Sequence, residues 1–172
     1  MENKETKQEL LTTCLLIVYL LILTWIIVFK MQFSIQELDR FHGINLIPFH
    51  ESVIVNNRIA FSEIYKNVIV FVPFGLYVSM LKSNWSFLKK VAPIASVSLF
   101  YEVLQFIFKI GASDITDLIG NTLGGIFGIV IYLVLRRLFK TDFKTNKILN
   151  IIALIGTICV VILLALLVRV NT

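Results

Sequence analysis

The residues of this chain that could do chemistry are concentrated in one short stretch of sequence that is otherwise apolar. They are Glu102, Gln105, Lys109, Asp114, Asp117 and Asn121. An ionisable side chain within a bilayer costs about 3 kcal/mol even on lenient insertion scales, so such side chains usually mark a functional site. We therefore take this stretch as the candidate functional region.

The spacing of these residues predicts two polar helix faces that meet at one level of the molecule. Intervals of three and four residues return a side chain to the same face of a helix. One face carries Glu102, Gln105 and Lys109, with Ser98 one turn earlier, and the other carries Asp114, Asp117 and Asn121. The short turn 110–113 makes the two helices antiparallel neighbours, so both faces converge where the chain turns. Asn67, near the start of the apolar run 64–81, is expected at the same level.

Carboxylates at this level could be hard oxygen ligands for Mg²⁺ or Ca²⁺, or the acid and base groups of a membrane enzyme. The enzyme alternative would use Glu102 and Asp117 on a lipid-linked cell-envelope substrate. The sequence contains no H-E-x-x-H metal motif, no glycine-rich phosphate loop and no nucleophile elbow. We therefore expect no metal ion and no cofactor, and whether any reaction is catalysed stays open.

Each of these side chains also has a structural interpretation. Asp114 is a candidate N-cap, with Asp117 three residues later favouring the helix dipole. Asn121 is a candidate for a hydrogen bond between helices. Glu102 is the hardest to explain in this way, because a carboxyl in mid-span is either protonated or paired with a base. The candidate bases are Lys109, Lys66 and Arg58.

The elements that must position these groups are membrane helices. The chain is 58% hydrophobic with a mean hydropathy of +0.87, whereas a soluble domain is about 45–50% apolar. Apolar runs long enough to cross a bilayer are Leu10–Phe29, Ile64–Leu81, Val91–Phe108, Thr116–Leu135 and Ile148–Val168. We predict an all-α integral membrane protein with about five transmembrane helices, forming a single domain over residues 1–172.

The distribution of basic residues predicts how the chain crosses the membrane. Ten lysines and arginines fall in the N-terminus and the 82–90 and 136–147 loops, and six fall on the other side. By the positive-inside rule the N-terminus is cytoplasmic, and the polar faces then lie in the outer third of the bilayer. The net charge of +5 is explained by this topology, so no nucleic-acid partner is expected. We predict a multi-pass protein of the cell membrane.

The segment 30–63 is long for a loop and rich in apolar residues. So much apolar surface exposed to water would favour aggregation. We therefore expect the segment to lie in the outer interface or to fold back over the bundle. Its most marked element is Asn45 to Phe49, where Pro48 forces Ile47 into an extended conformation and excludes a helix.

Helix kinking and close helix packing are each indicated by one pattern. Pro73, with Gly75 shortly after it, lies inside the second apolar run and predicts a kink. The kink is either an ordinary transmembrane feature or it opens a cavity near Asn67. In the fourth run Gly120, Gly124 and Gly128 recur every four residues. This spacing is typical of closely packed membrane helices.

Three ordered blocks of the sequence together resemble the VanZ-like family. They are N-L-I-P-F, N-V-I-V-F-V-P-F-G-L and E-x-x-Q-F-I-F-K-I-G-A-S-D-I-T-D-L-I-G-N-T-L-G-G, within a similarity that runs over residues 24–132. The last predicted helix, 148–168, lies beyond it. The motif positions that match are Asn45, Pro48, Phe49, Asn67, Pro73, Gly75, Glu102, Gln105, Asp114, Asp117, Asn121 and Gly125. Lys109 is the nearest equivalent of a basic residue found in this turn in some members.

The resemblance implies an integral membrane protein of a Gram-positive bacterium that confers or modulates resistance to the lipoglycopeptide teicoplanin. It implies no catalytic role for any residue. The partners expected are membrane lipids and, as candidates, a lipid-linked cell-wall precursor or the lipoglycopeptide itself. A small ion or solute carrier is a third alternative, but no internal repeat supports it. The number of copies that assemble stays open.

Overall fold

The computed structural model describes residues 2–28, 43–45, 47–48, 54–55, 58–59, 61–108 and 112–171. The helices are α1 (Glu2–Val28), α2 (Phe61–Leu81), α3 (Phe87–Phe108), α4 (Ile115–Phe139) and α5 (Asp142–Asn171). The strands are β1 (Gly43–Asn45), β2 (Ile54–Val55), β3 (Arg58–Ile59) and β4 (Ala112–Asp114). β1 pairs with β4 in parallel, and β2 pairs with β3 antiparallel.

All five helices of the described chain are long and apolar enough to cross a membrane. This confirms the prediction of an all-α membrane protein with five spans. The direction in which the N-terminus faces stays a prediction.

Two helices begin well before the apolar runs that predicted them. α1 begins at Glu2 rather than at Leu10, and α5 begins at Asp142 rather than at Ile148. The Thr141 hydroxyl accepts a hydrogen bond from the Lys144 N–H, as expected of a residue that starts a helix. Hydropathy detects only the apolar part of a helix, so it does not predict the polar first turns of α1 and α5. The loop between α4 and α5 is correspondingly short.

The centre of the bundle is the contact between α2 and α4. A Cβ atom added to Gly124 would collide with the carbonyl oxygen of Val68, and one added to Gly128 would collide with that of Val72. The backbones of the two helices therefore touch, which confirms the close packing predicted from this glycine spacing. At Gly120 the same added atom would lie 3.5 Å from the nearest neighbour, an ordinary contact.

Motif glycines make the same contact from the side of α2. A Cβ atom on Gly75 would meet the carbonyl oxygen of Gly125, and a Cβ atom on Gly125 would in turn meet the side chain of Ile94 on α3. Ile94 is fully buried, together with Phe71 on α2 and Ile129 on α4. Leu23 of α1 is buried in the same cluster, so four helices share one core, and α5 packs beside it.

Candidate functional site

Glu102 lies at the centre of the candidate site. It is on α3, within a membrane span, and only 4% of its side chain is exposed. Its Oε2 accepts hydrogen bonds from the Asp114 N–H at 2.9 Å and from the Ser113 hydroxyl at 3.1 Å. Both of these donors are neutral, and a pairing of Glu102 with Lys109 or Arg58 stays a prediction, because those two side chains lie outside the described part of the structure. The carboxyl therefore ties α3 to the strand that leads into α4.

Asp114 connects the start of α4 to the distant N-L-I-P-F block. It has an extended backbone (φ −125, ψ 126), and its Oδ1 accepts the Thr116 N–H at 2.8 Å, which confirms the predicted N-cap. Its Oδ2 accepts a hydrogen bond from Asn45 Nδ2 at 3.2 Å, beside the parallel pairing of Asn45 with Asp114 in register. The two motif blocks therefore form one structural unit, although 69 residues separate these side chains.

The other end of the Asn45 amide organises the Pro48 turn. Asn45 Oδ1 accepts a hydrogen bond from the Ile47 N–H at 3.1 Å, the Asx-turn geometry that favours a reversal of the chain. Pro48 follows in an exposed turn. Residues 43–45 thus reach the bundle, as the predicted folding back of segment 30–63 requires. Phe49 and Lys109, which the sequence also singled out, lie outside the described residues.

Three amide side chains join the remaining helices to the site. Asn67 Nδ2 on α2 donates to Asp117 Oδ1 on α4 at 2.6 Å, and Asn121 Nδ2 on α4 donates to Ser98 Oγ on α3 at 3.0 Å. Gln105 Nε2 on α3 donates to the Ile27 carbonyl on α1 at 3.0 Å. The predicted interhelical role of Asn121 is confirmed, and four helices are linked through one polar level.

Two buried acceptors of this cluster have no hydrogen-bond partner within the described part of the chain. They are Asn121 Oδ1 and Gln105 Oε1, on residues that are 1% and 6% exposed. An unpaired buried acceptor costs free energy, so such a group usually marks a place where water or another ligand donates. Around Glu102 the site is therefore rich in acceptors.

The comparison with known proteins matches this same part of the chain. The sequence profile of the VanZ/LLP1 family matches residues 16–136, from within α1 to the end of α4. The chain belongs to the VanZ/LLP1 family. It is similar to Protein VanZ of Enterococcus faecium, with 37% identity over 158 residues, covering 91% of this chain and 92% of that protein. No solved structure matches the chain.

The family blocks of the sequence divide into two structural kinds. Asn45, Glu102, Asp114, Asp117 and Asn121 meet around the start of α4 through the contacts given above. Gly75 and Gly125 instead allow the helices to touch. Pro73 belongs to neither kind, because it lines a groove between α1, α2 and α5. The sequence offered a cavity near Asn67 as one consequence of a kink at Pro73, but Asn67 contacts Asp117 instead of lining this groove. The VanZ/LLP1 motif thus specifies both a polar level and the packing beneath it.

The chemistry that this arrangement supports is binding through oxygen acceptors. Glu102 Oε2 and Asp117 Oδ1 are engaged in hydrogen bonds that hold different helices, so the enzyme alternative through these two carboxyls gains no support from their positions. Over the described ranges, no three side chains of His, Cys, Asp or Glu are placed to hold a metal ion.

A second polar cluster, which sequence reasoning missed, lies at the opposite end of α4. The Tyr132 hydroxyl donates to Asp142 Oδ1 at 3.3 Å and to Asn146 Oδ1 at 3.1 Å, and Asp142 pairs with Arg136. Lys90, which is buried, lies over the Tyr132 ring at 5.8 Å. Asp142, Asn146 and Asn150 follow at intervals of four residues, a signal that would have predicted this face of α5.

Proposed function

We propose that this protein lowers the susceptibility of a Gram-positive cell to teicoplanin, acting at the outer face of the cell membrane. The observation that carries the proposal is membership of the VanZ/LLP1 family, with 37% identity to Protein VanZ over 91% of the chain. Several of the motif residues that tie the chain to this family meet around Glu102 and Asp114.

The asymmetry of charge supports the proposed location. The ten basic residues of the N-terminus and the two loops on its side would face the cytoplasm, against six on the other side. The start of α4, with Glu102, Asp114 and Asn45, is at the end remote from Arg136 and Lys82. In this orientation the polar level lies within the outer leaflet, where lipid-linked cell-wall precursors are exposed to the drug.

The geometry favours interference with binding over chemical destruction of the drug. Teicoplanin carries a fatty acyl tail that anchors it in the membrane near its precursor target. A buried, acceptor-rich level at that depth binds polar groups that donate hydrogen bonds, and so changes the surroundings in which drug and precursor meet. Untailed vancomycin is not held at this depth, so protection extends to tailed glycopeptides and little to vancomycin.

The test compares a sensitive Gram-positive host carrying wild type, Glu102→Gln or Glu9→Gln, with membrane levels matched. Glu9→Gln is the control, because it makes the same change of side chain at an exposed position of α1 near its N-terminus. We expect teicoplanin protection from wild type and Glu9→Gln, loss of protection in Glu102→Gln, and little effect on vancomycin susceptibility. Equal protection against both drugs, or full protection by Glu102→Gln, contradicts the proposal.

A further inference from the structure

An apolar groove runs along the bundle between α1, α2 and α5, away from the polar level. Its volume is about 410 Å³, and its wall includes Tyr19, Ile26, Pro73, Met80, Gly156 and Val160. The polar atoms of two wall residues are already engaged: the Tyr19 hydroxyl donates to the Val70 carbonyl at 2.7 Å, and the Thr157 hydroxyl donates to the Ala153 carbonyl at 2.8 Å. The groove therefore suits an apolar ligand.

The dimensions of the groove suit one hydrocarbon chain. On α2 the wall runs from Ile69 to Met80, and on α5 from Leu149 to Val160. Each stretch is about 16 Å long at 1.5 Å per residue. That is close to half of the about 30 Å hydrocarbon core of a bilayer, the thickness that one lipid tail fills. The volume is also within the range of about 300–1,000 Å³ that ligand sites occupy.

Gly156 on α5 shows that the space is left open by the protein itself. A Cβ atom added to Gly156 would meet nothing within 4 Å, whereas one added to Gly124 would strike a helix backbone. Glycine is unfavourable inside a helix unless a close approach needs it. No neighbouring helix in the described chain uses the space at Gly156, so this part of the groove is open to an acyl chain.

A basic residue, Lys66, lies just beyond one end of the groove. Lys66 is exposed and lies one turn before Ile69, where the groove begins on α2. Intervals of four and three residues place Lys66, Val70 and Pro73 on the same face of that helix. A flexible lysine at the end of a span reaches the interface and attracts anionic lipid headgroups.

We propose that the groove between α1, α2 and α5 is a binding site for one acyl chain of an anionic phospholipid of the bilayer, with the net negative charge of its headgroup attracted by Lys66. The site gives this bundle a bound lipid as part of its structure. It is independent of the polar level around Glu102 and of the response to teicoplanin.

The test is native mass spectrometry of the full chain, extracted in a mild detergent and reloaded with an equal mixture of phosphatidylglycerol and phosphatidylcholine. Wild type is expected to retain one phospholipid, and Gly156→Phe to retain about tenfold less, because the ring fills the space of several methylenes. Ile158→Phe is the matched control, since Ile158 is exposed on the same helix and outside the groove wall. Ile152→Trp, at another wall position, checks the result independently.

The headgroup is tested with Lys66→Gln, compared with Lys89→Gln at an exposed position of α3. Lys66→Gln is expected to remove the preference for phosphatidylglycerol while one lipid stays bound, and Lys89→Gln to leave the preference unchanged. The proposal is overturned if both filling variants retain lipid like wild type, or if wild type holds detergent alone. Equal retention of the two lipids by wild type overturns the role of Lys66.

Discussion

The two ends of α4 carry buried polar clusters that differ in how their charges are satisfied. At the Tyr132 end, Asp142 pairs with Arg136, and Lys90 donates to the Ser83 carbonyl beneath an aromatic ring. At the Glu102 end, the carboxyl accepts only from neutral donors among the contacts described, and the amide oxygens of Asn121 and Gln105 have no partner within the described residues. A cluster that satisfies its own charges is structural, whereas acceptors left open are available to a ligand.

The contact that both clusters depend on is the backbone packing of α2 against α4. Gly124→Leu forces a side chain against the Val68 carbonyl, so we expect it to remove more than about 4 kcal/mol of stability. Unfolding in detergent micelles, followed by tryptophan fluorescence, measures this. Ala165→Leu is the control and is expected to change stability little, because Ala165 is exposed on α5 and lies outside the groove wall. Equal stability of the two variants would contradict the prediction that both clusters depend on the contact between α2 and α4.

Two substitutions of Glu102 separate its hydrogen bonding to the fold from its negative charge. Glu102→Ala leaves the buried Asp114 N–H without its acceptor, and we expect a loss of about 1–3 kcal/mol. Glu102→Gln keeps an acceptor oxygen, so its stability should stay within about 1 kcal/mol of wild type. The same unfolding measurement compares them at matched protein levels. Equal destabilisation by both variants would mean that the carboxylate charge itself holds the fold.

Much of the site could be predicted from spacing, because helical periodicity fixes which residues share a face. The N-cap at Asp114 and the bond from Asn121 to the neighbouring helix follow from local rules that apply within one helix or one helical hairpin. The five spans likewise follow from the length and hydropathy that a bilayer requires.

The pairing of β1 with β4 could not be predicted in this way. The strands are short, and Asn45 meets Asp114 across 69 residues, so no periodicity connects them. The start of α5 at Asp142 was missed for another reason, because its polar first turns are held by side chains on other helices. Contacts between distant segments depend on the assembled bundle, which one sequence does not display.

The Asn45 contact offers a sharper test of the Glu102 end. Asn45→Ala removes the bonds to Asp114 and to the Ile47 N–H, but it leaves the Asp114 N-cap and Glu102 in place. We expect a loss of about 1–2 kcal/mol and a clear fall in teicoplanin protection. Asn45→Asp is the control, since it keeps the acceptor for Ile47 and places a second carboxylate beside Asp114. Protection is expected to fall in both variants, with the Pro48 turn retained in the second. Full protection by Asn45→Ala would remove the β1 segment from the site.

The smallest effect is expected at the opposite end of α4. Tyr132→Phe removes the hydroxyl that donates to Asp142 and Asn146, while the ion pair of Asp142 with Arg136 remains. Both bonds are long and the ion pair is partly exposed, so we expect a loss of about 1 kcal/mol or less. Teicoplanin susceptibility in the same host should match wild type, because the ring still packs in the core and the site around Glu102 is untouched. A fall in protection without a fall in membrane level would show that the two clusters are coupled through α4, and that the difference between them is one of geometry rather than of role.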